Sequence, residues 1–138
     1  MRATDLAHVL LDQVLRPGDW AVDATVGNGH DTLWLAKRVG PKGRVFGFDV
    51  QAAALAAAAV RVQGLAQVEL LHSGHERLAE RLPPEAQGRL GAVMFNLGYL
   101  PGGAKDIITR AETSIAGLGQ ALAFLAIGGC VTVVLYPG

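Results

Sequence analysis

Apolar residues recur along the chain in two alternating patterns, short continuous runs and longer stretches with helical spacing. The short runs at 20–25, 44–50, 68–72, 89–96 and 130–136 are almost wholly apolar, as expected for strands that are buried on both faces. Helical stretches lie between them at 31–39, 51–63, 75–81 and 111–126, and an amphipathic helix with Thr4 as its predicted N-cap precedes the first strand. This alternation predicts one α/β domain over residues 1–138, built as a doubly wound, mostly parallel sheet.

Composition and charge narrow the class of protein. The 138 residues include 12 basic and 12 acidic side chains, so no global field draws the chain toward nucleic acid, and any RNA contact must be local. The single cysteine, Cys130, excludes an internal disulfide and fits a reducing compartment. The first apolar stretch carries Asp5 and His8, unlike a signal peptide, and the alanine-rich run at 52–60 is too short to span a bilayer. We therefore expect a soluble, cytoplasmic protein.

The segment A-V-D-A-T-V-G-N-G-H-D-T at 21–32 joins the first predicted strand to the following helix. Gly27 and Gly29 have no Cβ, so each can adopt a positive φ and let a ligand approach the main chain closely. Asp49 closes the second predicted strand, where its carboxylate could accept hydrogen bonds from both hydroxyls of a ribose. Because ligands of doubly wound sheets bind beyond the carboxyl ends of the strands, these residues predict a site for an adenosine-containing ligand.

The charges around the two glycines separate two classes of cofactor. The dinucleotide-binding fingerprint has a third small residue where this chain has Thr32, and Asp31 would repel a diphosphate at the start of the helix. S-adenosylmethionine has no phosphate, and an acidic side chain can hold the ammonium group of its amino-acid part. Asp23 and Asp31 therefore favour S-adenosylmethionine over NAD, and an NAD-dependent oxidoreductase is the alternative from another class.

A second informative segment, F-N-L-G-Y-L-P-G-G at 95–103, follows the fourth predicted strand. Asn96 falls at the carboxyl end of this strand, next to the strand that carries the glycines. Its amide and the main-chain carbonyl of Leu97 could accept hydrogen bonds from a substrate amine and so orient the nitrogen lone pair for attack on a methyl group. An alkylamine must also lose a proton, for which Tyr99, His72 and His75 are all candidates.

Four motifs together, D-A-T-V-G-N-G-H-D-T, G-F-D-V-Q, H-S-G-H-E and F-N-L-G-Y-L-P-G-G, resemble the rRNA methylase family of class I S-adenosylmethionine-dependent methyltransferases. The resemblance implies the Rossmann-like fold of that class, S-adenosylmethionine as cofactor, and an RNA substrate. In characterised members the substrate is the aminomethyl group of a modified tRNA wobble uridine. The resemblance places Asp23, Thr25, Gly27, Asn28, Gly29 and Asp31 around the methionine part, Asp49 and Gln51 near the ribose, Ser73 and His75 on the adenine side, and Asn96 at the transferred methyl.

The chain departs from this family at its end, because family members continue well past the fifth strand, usually into two more strands. We therefore expect a C-terminally truncated domain whose fifth strand exposes an edge, a feature that favours self-pairing. The edge is predicted to pair with a partner, for example in a homodimer. The shorter chain also leaves open a module that binds S-adenosylmethionine without turnover.

Several other residues are interpreted as structural. His8 is interpreted as a surface or boundary residue of the first helix, and Cys130 as a small buried residue. Trp20 and Trp34 are interpreted as apolar packing, whereas His30, beside the glycines, is a candidate ligand contact. The four histidines have no metal-ligand spacing with cysteine or carboxylate partners, so no metal site is predicted.

Overall fold

The computed structural model describes residues 1–97 and 104–135, with side chains described for all of these except 104–109. The helices are α1 (Ala3–Asp12), α2 (His30–Val39), α3 (Ala52–Arg61), α4 (Leu78–Arg81) and α5 (Ala104–Phe124). The strands are β1 (Trp20–Asp23), β2 (Arg44–Asp49), β3 (Val68–His72), β4 (Leu90–Asn96) and β5 (Leu125–Val134). Two short 3₁₀ helices, His75–Arg77 and Pro84–Ala86, flank α4. Strands and helices thus alternate as the sequence predicts.

The five strands form one sheet in the order β3-β2-β1-β4-β5, and every neighbouring pair is parallel. The predicted doubly wound parallel sheet is therefore confirmed, as is the position of β4 beside β1. The direction of winding reverses between these two strands. Crossover connections leave on opposite sides at such a reversal, which opens a crevice at the carboxyl ends of the strands.

Apolar side chains cover both faces of the sheet, because successive residues of a strand point to opposite sides. Ala21 and Val45 are fully buried in a cluster with residues of α1 and α2, such as Leu11 and Leu35. Their chain neighbours Val22 and Phe46, equally buried, pack in a second cluster with Leu78 of α4 and Ala121 of α5. This two-sided burial is the reason that the strands are continuous apolar runs in the sequence.

The first helix begins differently from the prediction. Thr4 lies inside α1, and the N-cap is Arg2, whose main-chain N–H donates to the Asp5 carboxylate over 3.0 Å. The prediction that Thr4 caps the helix was therefore wrong. An acidic residue three positions after the cap can bond back to it, and Asp5 does so here.

The last two elements differ most from the prediction. Helix α5 starts at Ala104 rather than near 111, and β5 starts at Leu125 rather than at Cys130. The pairing of β5 with β4 shifts in register, since Leu90 pairs with Leu125 whereas Ala92 pairs with Cys130. Gly128, with a φ of 83°, lies in the extra residues of this irregularity. The two glycines at 128–129 thus interrupt a strand instead of preceding one. The predicted end of the strand at Tyr136 lies outside the described residues.

Strand β5 forms one edge of the sheet and leaves apolar surface exposed. A groove of about 190 Å³ runs between α5 and β5 and is lined by Phe95, Leu97, Ala111, Ser114, Ile115, Leu118, Val133 and Leu135. Ile115 is 70% exposed and Leu135 is 63% exposed. The pairing of this edge with a partner stays a prediction. None of the helices in the described ranges is both long and apolar enough to cross a membrane.

Candidate functional site

Two cavities open at the carboxyl ends of β1 and β4. One, of about 320 Å³, is called the α5-side cavity and is lined by Ala24, Thr25, Phe48, Asp49, Val50, Ser73, Gly74, His75, Glu76, Asn96, Leu97, Arg110, Thr113 and Ser114. The other, of about 540 Å³, is called the α1-side cavity and is lined by Arg2, Thr4, His8, Thr25, Val26, Gly27, Asn28, His30, Asp31 and Asn96. Thr25 and Asn96 line both, so the two cavities form one crevice around the end of the sheet. Its position is the one that the reversal of winding predicts.

The loop between β1 and α2, residues 24–29, is called the glycine loop. Its two glycines have different surroundings. Gly27 has a φ of 54° and lines the α1-side cavity, with nothing within 4 Å of the place where a Cβ would lie. Gly29 has a φ of 87°, and a Cβ there would lie 2.8 Å from the Cα and the Cβ of Ala58. Helix α3 therefore packs directly on the back of the loop, and Gly29 lines neither cavity. Arg61 of α3 also donates to the Asn28 carbonyl over 3.0 Å.

Asp49, at the end of β2, connects the glycine loop to the α5-side cavity. Its Oδ2 accepts the Gly27 N–H over 2.9 Å, and its Oδ1 accepts the Gln51 N–H over 2.8 Å. Each carboxylate oxygen has lone pairs for a further hydrogen bond, so Asp49 can still accept hydroxyl groups from a ligand in the cavity. Gln51 is exposed as the N-cap of α3 and contributes its main chain to Asp49, but it lines neither cavity.

Asp23, at the end of β1, is fully buried beneath the glycine loop. It accepts the Thr25 N–H over 3.1 Å and the Thr32 hydroxyl over 2.7 Å. Burial raises the pKa of Asp23 to about 7, although the hydrogen bond from Thr32 acts in the opposite direction. The carboxyl group thus ties the loop to the first turn of α2. Asp23 lines neither cavity, and its contact with a cofactor stays a prediction.

The α1-side cavity contains a contact that sequence reasoning missed, between His8 and the predicted site residue Asp31. His8 Nε2 lies 2.7 Å from Asp31 Oδ1, and the imidazole stacks on Trp34 with ring centroids 4.2 Å apart. The interpretation of His8 as a surface or boundary residue was therefore incomplete, because the side chain is 24% exposed and faces a cavity. The only sequence signal was a histidine in an apolar helix. The contact depends on α1 packing beside α2, which no local pattern shows.

Asn96, at the end of β4, lies where the two cavities meet. Its main-chain N–H donates to the Thr25 hydroxyl over 2.7 Å, which joins the end of β4 to the glycine loop. Asn96 and Thr25 are the residues common to both linings. A group held in either cavity can therefore approach the Asn96 amide, as the adjacency of β1 and β4 predicts.

The remaining predicted residues divide between the cavities. Ser73 is buried and lines the α5-side cavity together with His75. The His75 Nδ1 lies 3.1 Å from the Ala24 carbonyl oxygen, and its ring packs edge-on against Phe95. His30 lines the α1-side cavity, with an exposed side chain.

The three candidate general bases are placed differently. His75 lines the crevice, but one of its ring nitrogens is engaged by the main chain. His72 lies outside both linings, with Nε2 2.9 Å from the Val50 carbonyl oxygen. Tyr99 lies outside the described residues.

Comparison with known proteins relates this crevice to one family. The sequence model of the family described as "Putative rRNA methylase" matches residues 45–138. The tRNA (mnm(5)s(2)U34)-methyltransferase, chloroplastic, of Arabidopsis thaliana is 39% identical over 148 residues, covering 99% of this chain and 53% of the relative. This chain thus spans about half the length of that relative.

Solved structures give the same relationship. A crystal structure from Clostridium thermocellum, of a protein with the family's description, superimposes with a TM-score of 0.86 at 41% identity, covering 100% of this chain and 74% of that one. A protein from Streptococcus mutans, described as a methyltransferase and solved in complex with SAH, has a TM-score of 0.78 at 33% identity. That match covers 95% of this chain and 70% of the other.

Proposed function

This chain belongs to the rRNA methylase family, and we propose that it transfers a methyl group from S-adenosylmethionine to RNA. The observation that carries the proposal is the pairing of Asp49 with the glycine loop. The Asp49 carboxylate lines the α5-side cavity and lies 2.9 Å from the main-chain N–H of Gly27. Together they form a site for a nucleoside ribose with little side-chain obstruction.

The residues around the crevice fit S-adenosylmethionine. Asp49 would accept the ribose hydroxyls, and Ser73 and His75 would lie on the adenine side of the α5-side cavity. Asp31, in the α1-side cavity, would attract the ammonium of the amino-acid part. When bound, the cofactor supplies a methyl group that is already activated by a sulfonium. The work of the protein is then mostly to hold the two reactants in line, near Asn96.

The same residues disfavour a dinucleotide. Thr32 stands where the fingerprint has its third small residue, and it is fully buried with its hydroxyl donated to Asp23. Asp31 places a carboxylate in the first turn of α2, where a diphosphate would need positive potential. Thr32 and Asp31 therefore favour S-adenosylmethionine over NAD as the cofactor.

We also propose which chemical group of the RNA accepts the methyl group. We infer that it is the aminomethyl group of a modified tRNA wobble uridine, supported by the name of the Arabidopsis relative. Asn96 would accept an N–H of this amine with its amide oxygen and so point the nitrogen lone pair at the methyl carbon. Arg110, in the lining of the α5-side cavity, would meet an RNA phosphate. The relative is named as chloroplastic, so a cytoplasmic location for this chain stays a prediction.

The test combines binding with turnover. Calorimetry with S-adenosylmethionine and with NAD should show binding of the first alone. Incubation with methyl-labelled S-adenosylmethionine and tRNA that carries the unmethylated aminomethyl group should then place label in the wobble nucleoside after digestion. Binding of NAD instead would overturn the cofactor proposal. Binding of S-adenosylmethionine without incorporation would overturn the enzyme proposal and leave a binding module.

A further inference from the structure

His8 is held in the α1-side cavity by contacts from two directions. Its Nε2 lies 2.7 Å from Asp31 Oδ1, and the side chains of the two residues are only 24% and 12% exposed. Its ring lies parallel to Trp34, with centroids 4.2 Å apart and planes 4° from parallel. The carboxylate fixes the ring edge and the indole fixes the ring plane, so the imidazole has a defined orientation.

The contact with Asp31 also selects the tautomer of His8. A carboxylate only accepts hydrogen bonds, so Nε2 must carry the hydrogen, and in the neutral ring the lone pair resides on Nδ1. A histidine whose one nitrogen donates to a carboxylate while the other is a free base is the arrangement by which carboxylates orient general bases.

The charged and titratable groups near His8 come from three elements of the described chain. Arg2 and Asp5 lie at the start of α1, the helix that carries His8, and His30 and Asp31 open α2. Arg38, also of α2, lies over the Trp34 ring on which His8 stacks. Strand β5 contributes Cys130 to the cluster on which α1 packs. Of these groups, Asp31 alone is in hydrogen-bond contact with the imidazole.

His8 and Asn96 line the same cavity, so they could act on the same substrate amine in different roles. An alkylamine is an ammonium at neutral pH and has no lone pair until it loses a proton. We propose that His8 is the general base that takes this proton on Nδ1, with Asp31 as the residue that positions its ring. This inference rests on the proposed methyl transfer to an amine.

The substrate ammonium gives one proton to His8, and the amine nitrogen then attacks the methyl carbon. A carbon–nitrogen bond forms while the carbon–sulfur bond breaks, and the bonding pair stays on sulfur. The products are a secondary ammonium and a thioether, and His8 returns its proton to solvent through the open cavity.

His8→Gln tests the proposal, since a glutamine amide can still donate to Asp31 but cannot act as a base at neutral pH. We expect S-adenosylmethionine to bind within about twofold of the wild-type affinity and single-turnover methyl transfer to the tRNA to slow by about 100-fold. The rate of the variant should recover as pH is raised, because the amine then loses its proton to solvent without His8. His72→Gln is the matched control, because His72 lies outside both cavity linings, and its rate should match the wild type.

Each possible result for these variants either supports the role of His8 as a base or overturns it. A His8→Gln variant with the wild-type rate and pH profile would overturn the inference, and so would equal losses of cofactor binding and transfer rate. Should His8→Gln not fold, Asp31→Asn serves instead. Its amide can accept from Nε2 or donate to it, so the tautomer is no longer selected and transfer at saturating S-adenosylmethionine should slow. An unchanged rate at saturating cofactor would count against His8. The proposed function fails separately, when the wild type itself transfers no methyl group.

Discussion

The two cavities of the crevice are organised by different parts of the chain. In the α5-side cavity, main-chain groups hold the polar side chains, since Asp49 accepts two main-chain N–H groups and His75 lies against the Ala24 carbonyl. In the α1-side cavity, side chains hold each other, and His8 is fixed by Asp31 and Trp34 from a different helix.

This difference indicates that the two cavities have different functions. A site fixed by main chain is set as soon as the strands pair, which suits the binding of an invariant cofactor. A site fixed by side chains of α1 and α2 can be changed by single substitutions without disturbing the sheet. Under the proposed function, substitution of Asp49 on the α5 side should therefore change affinity for S-adenosylmethionine, whereas substitution of His8 on the α1 side or of Asn96 at the junction should change the rate of transfer.

The largest expected effect concerns Asp23, which lies beneath both cavities. Its pKa is raised from an ordinary 3.8 to about 7, so between these values the folded state binds more protons than the unfolded state. The free energy of unfolding should therefore fall as pH rises from about 4 to about 7, by on the order of 4 kcal/mol, at about 1.4 kcal/mol per pKa unit.

Asp23→Asn should remove this dependence, because the amide can still accept from Thr25 and donate to Thr32. Urea unfolding at about pH 5 and about pH 8 measures it, with the surface variant Asp12→Asn as the control. Should wild type and Asp23→Asn respond alike to pH, Asp23 would be charged when folded. A third charged carboxylate would then lie beneath the crevice, besides Asp49 in one cavity and Asp31 in the other.

Gly29→Ala should damage both cavities together, because the glycine loop forms part of each. A side chain there must adopt a φ of 87° and would meet Ala58 at 2.8 Å. The expected loss is about 3 kcal/mol of unfolding free energy, from roughly 1–2 kcal/mol for the backbone and a similar cost for overpacking.

Gly64→Ala is the matched control for Gly29→Ala. Gly64 has a φ of 85° with nothing within 4 Å of the position that a Cβ would occupy, so it should lose only the backbone part, about 1 kcal/mol. Equal losses in the two variants, measured by urea unfolding, would show that α3 does not support the loop.

How much of this the sequence predicts depends on the range of the contacts. The strand at 68–72 is predicted and observed with the same bounds, because its apolar residues and the flanking turn residues are both local signals. Strand β5 starts earlier than predicted, because a glycine pair usually indicates a turn, whereas here it lies in a register shift that only the pairing with β4 reveals.

For the contacts of the site, the elements that carry the residues matter more than the separation along the sequence. The approach of Asp49 to Gly27 is predictable, since parallel pairing of β1 and β2 brings their carboxyl ends together. The contact between His8 and Asp31 joins residues 23 positions apart on two helices, and amphipathic patterns do not fix how such helices are rotated. Residues of both cavities were therefore predictable from sequence, whereas the contribution of α1 to the α1-side cavity was not.

Asp49→Ala should next weaken the binding of S-adenosylmethionine by about 100-fold, because hydrogen bonds to a charged group contribute roughly 1.5–3 kcal/mol each. Calorimetry measures the affinity. Glu69→Ala is the control, since Glu69 is an exposed carboxylate on the adjacent strand, paired with Arg44. Unchanged affinity in Asp49→Ala would remove the assignment of cofactor binding to the α5-side cavity.

The smallest expected effect is that of Asn96→Ala, at the junction of the cavities. Its main-chain bond to Thr25 survives the substitution, so the crevice should keep its shape and the affinity for S-adenosylmethionine should stay within about twofold. Transfer should slow by roughly 30-fold, because the amine loses one orienting hydrogen bond of about 2 kcal/mol. Single-turnover rates with saturating cofactor separate the two quantities. If Asn96→Ala instead loses affinity as strongly as Asp49→Ala, then one continuous surface binds the cofactor, and the division between a binding side and a reacting side is wrong.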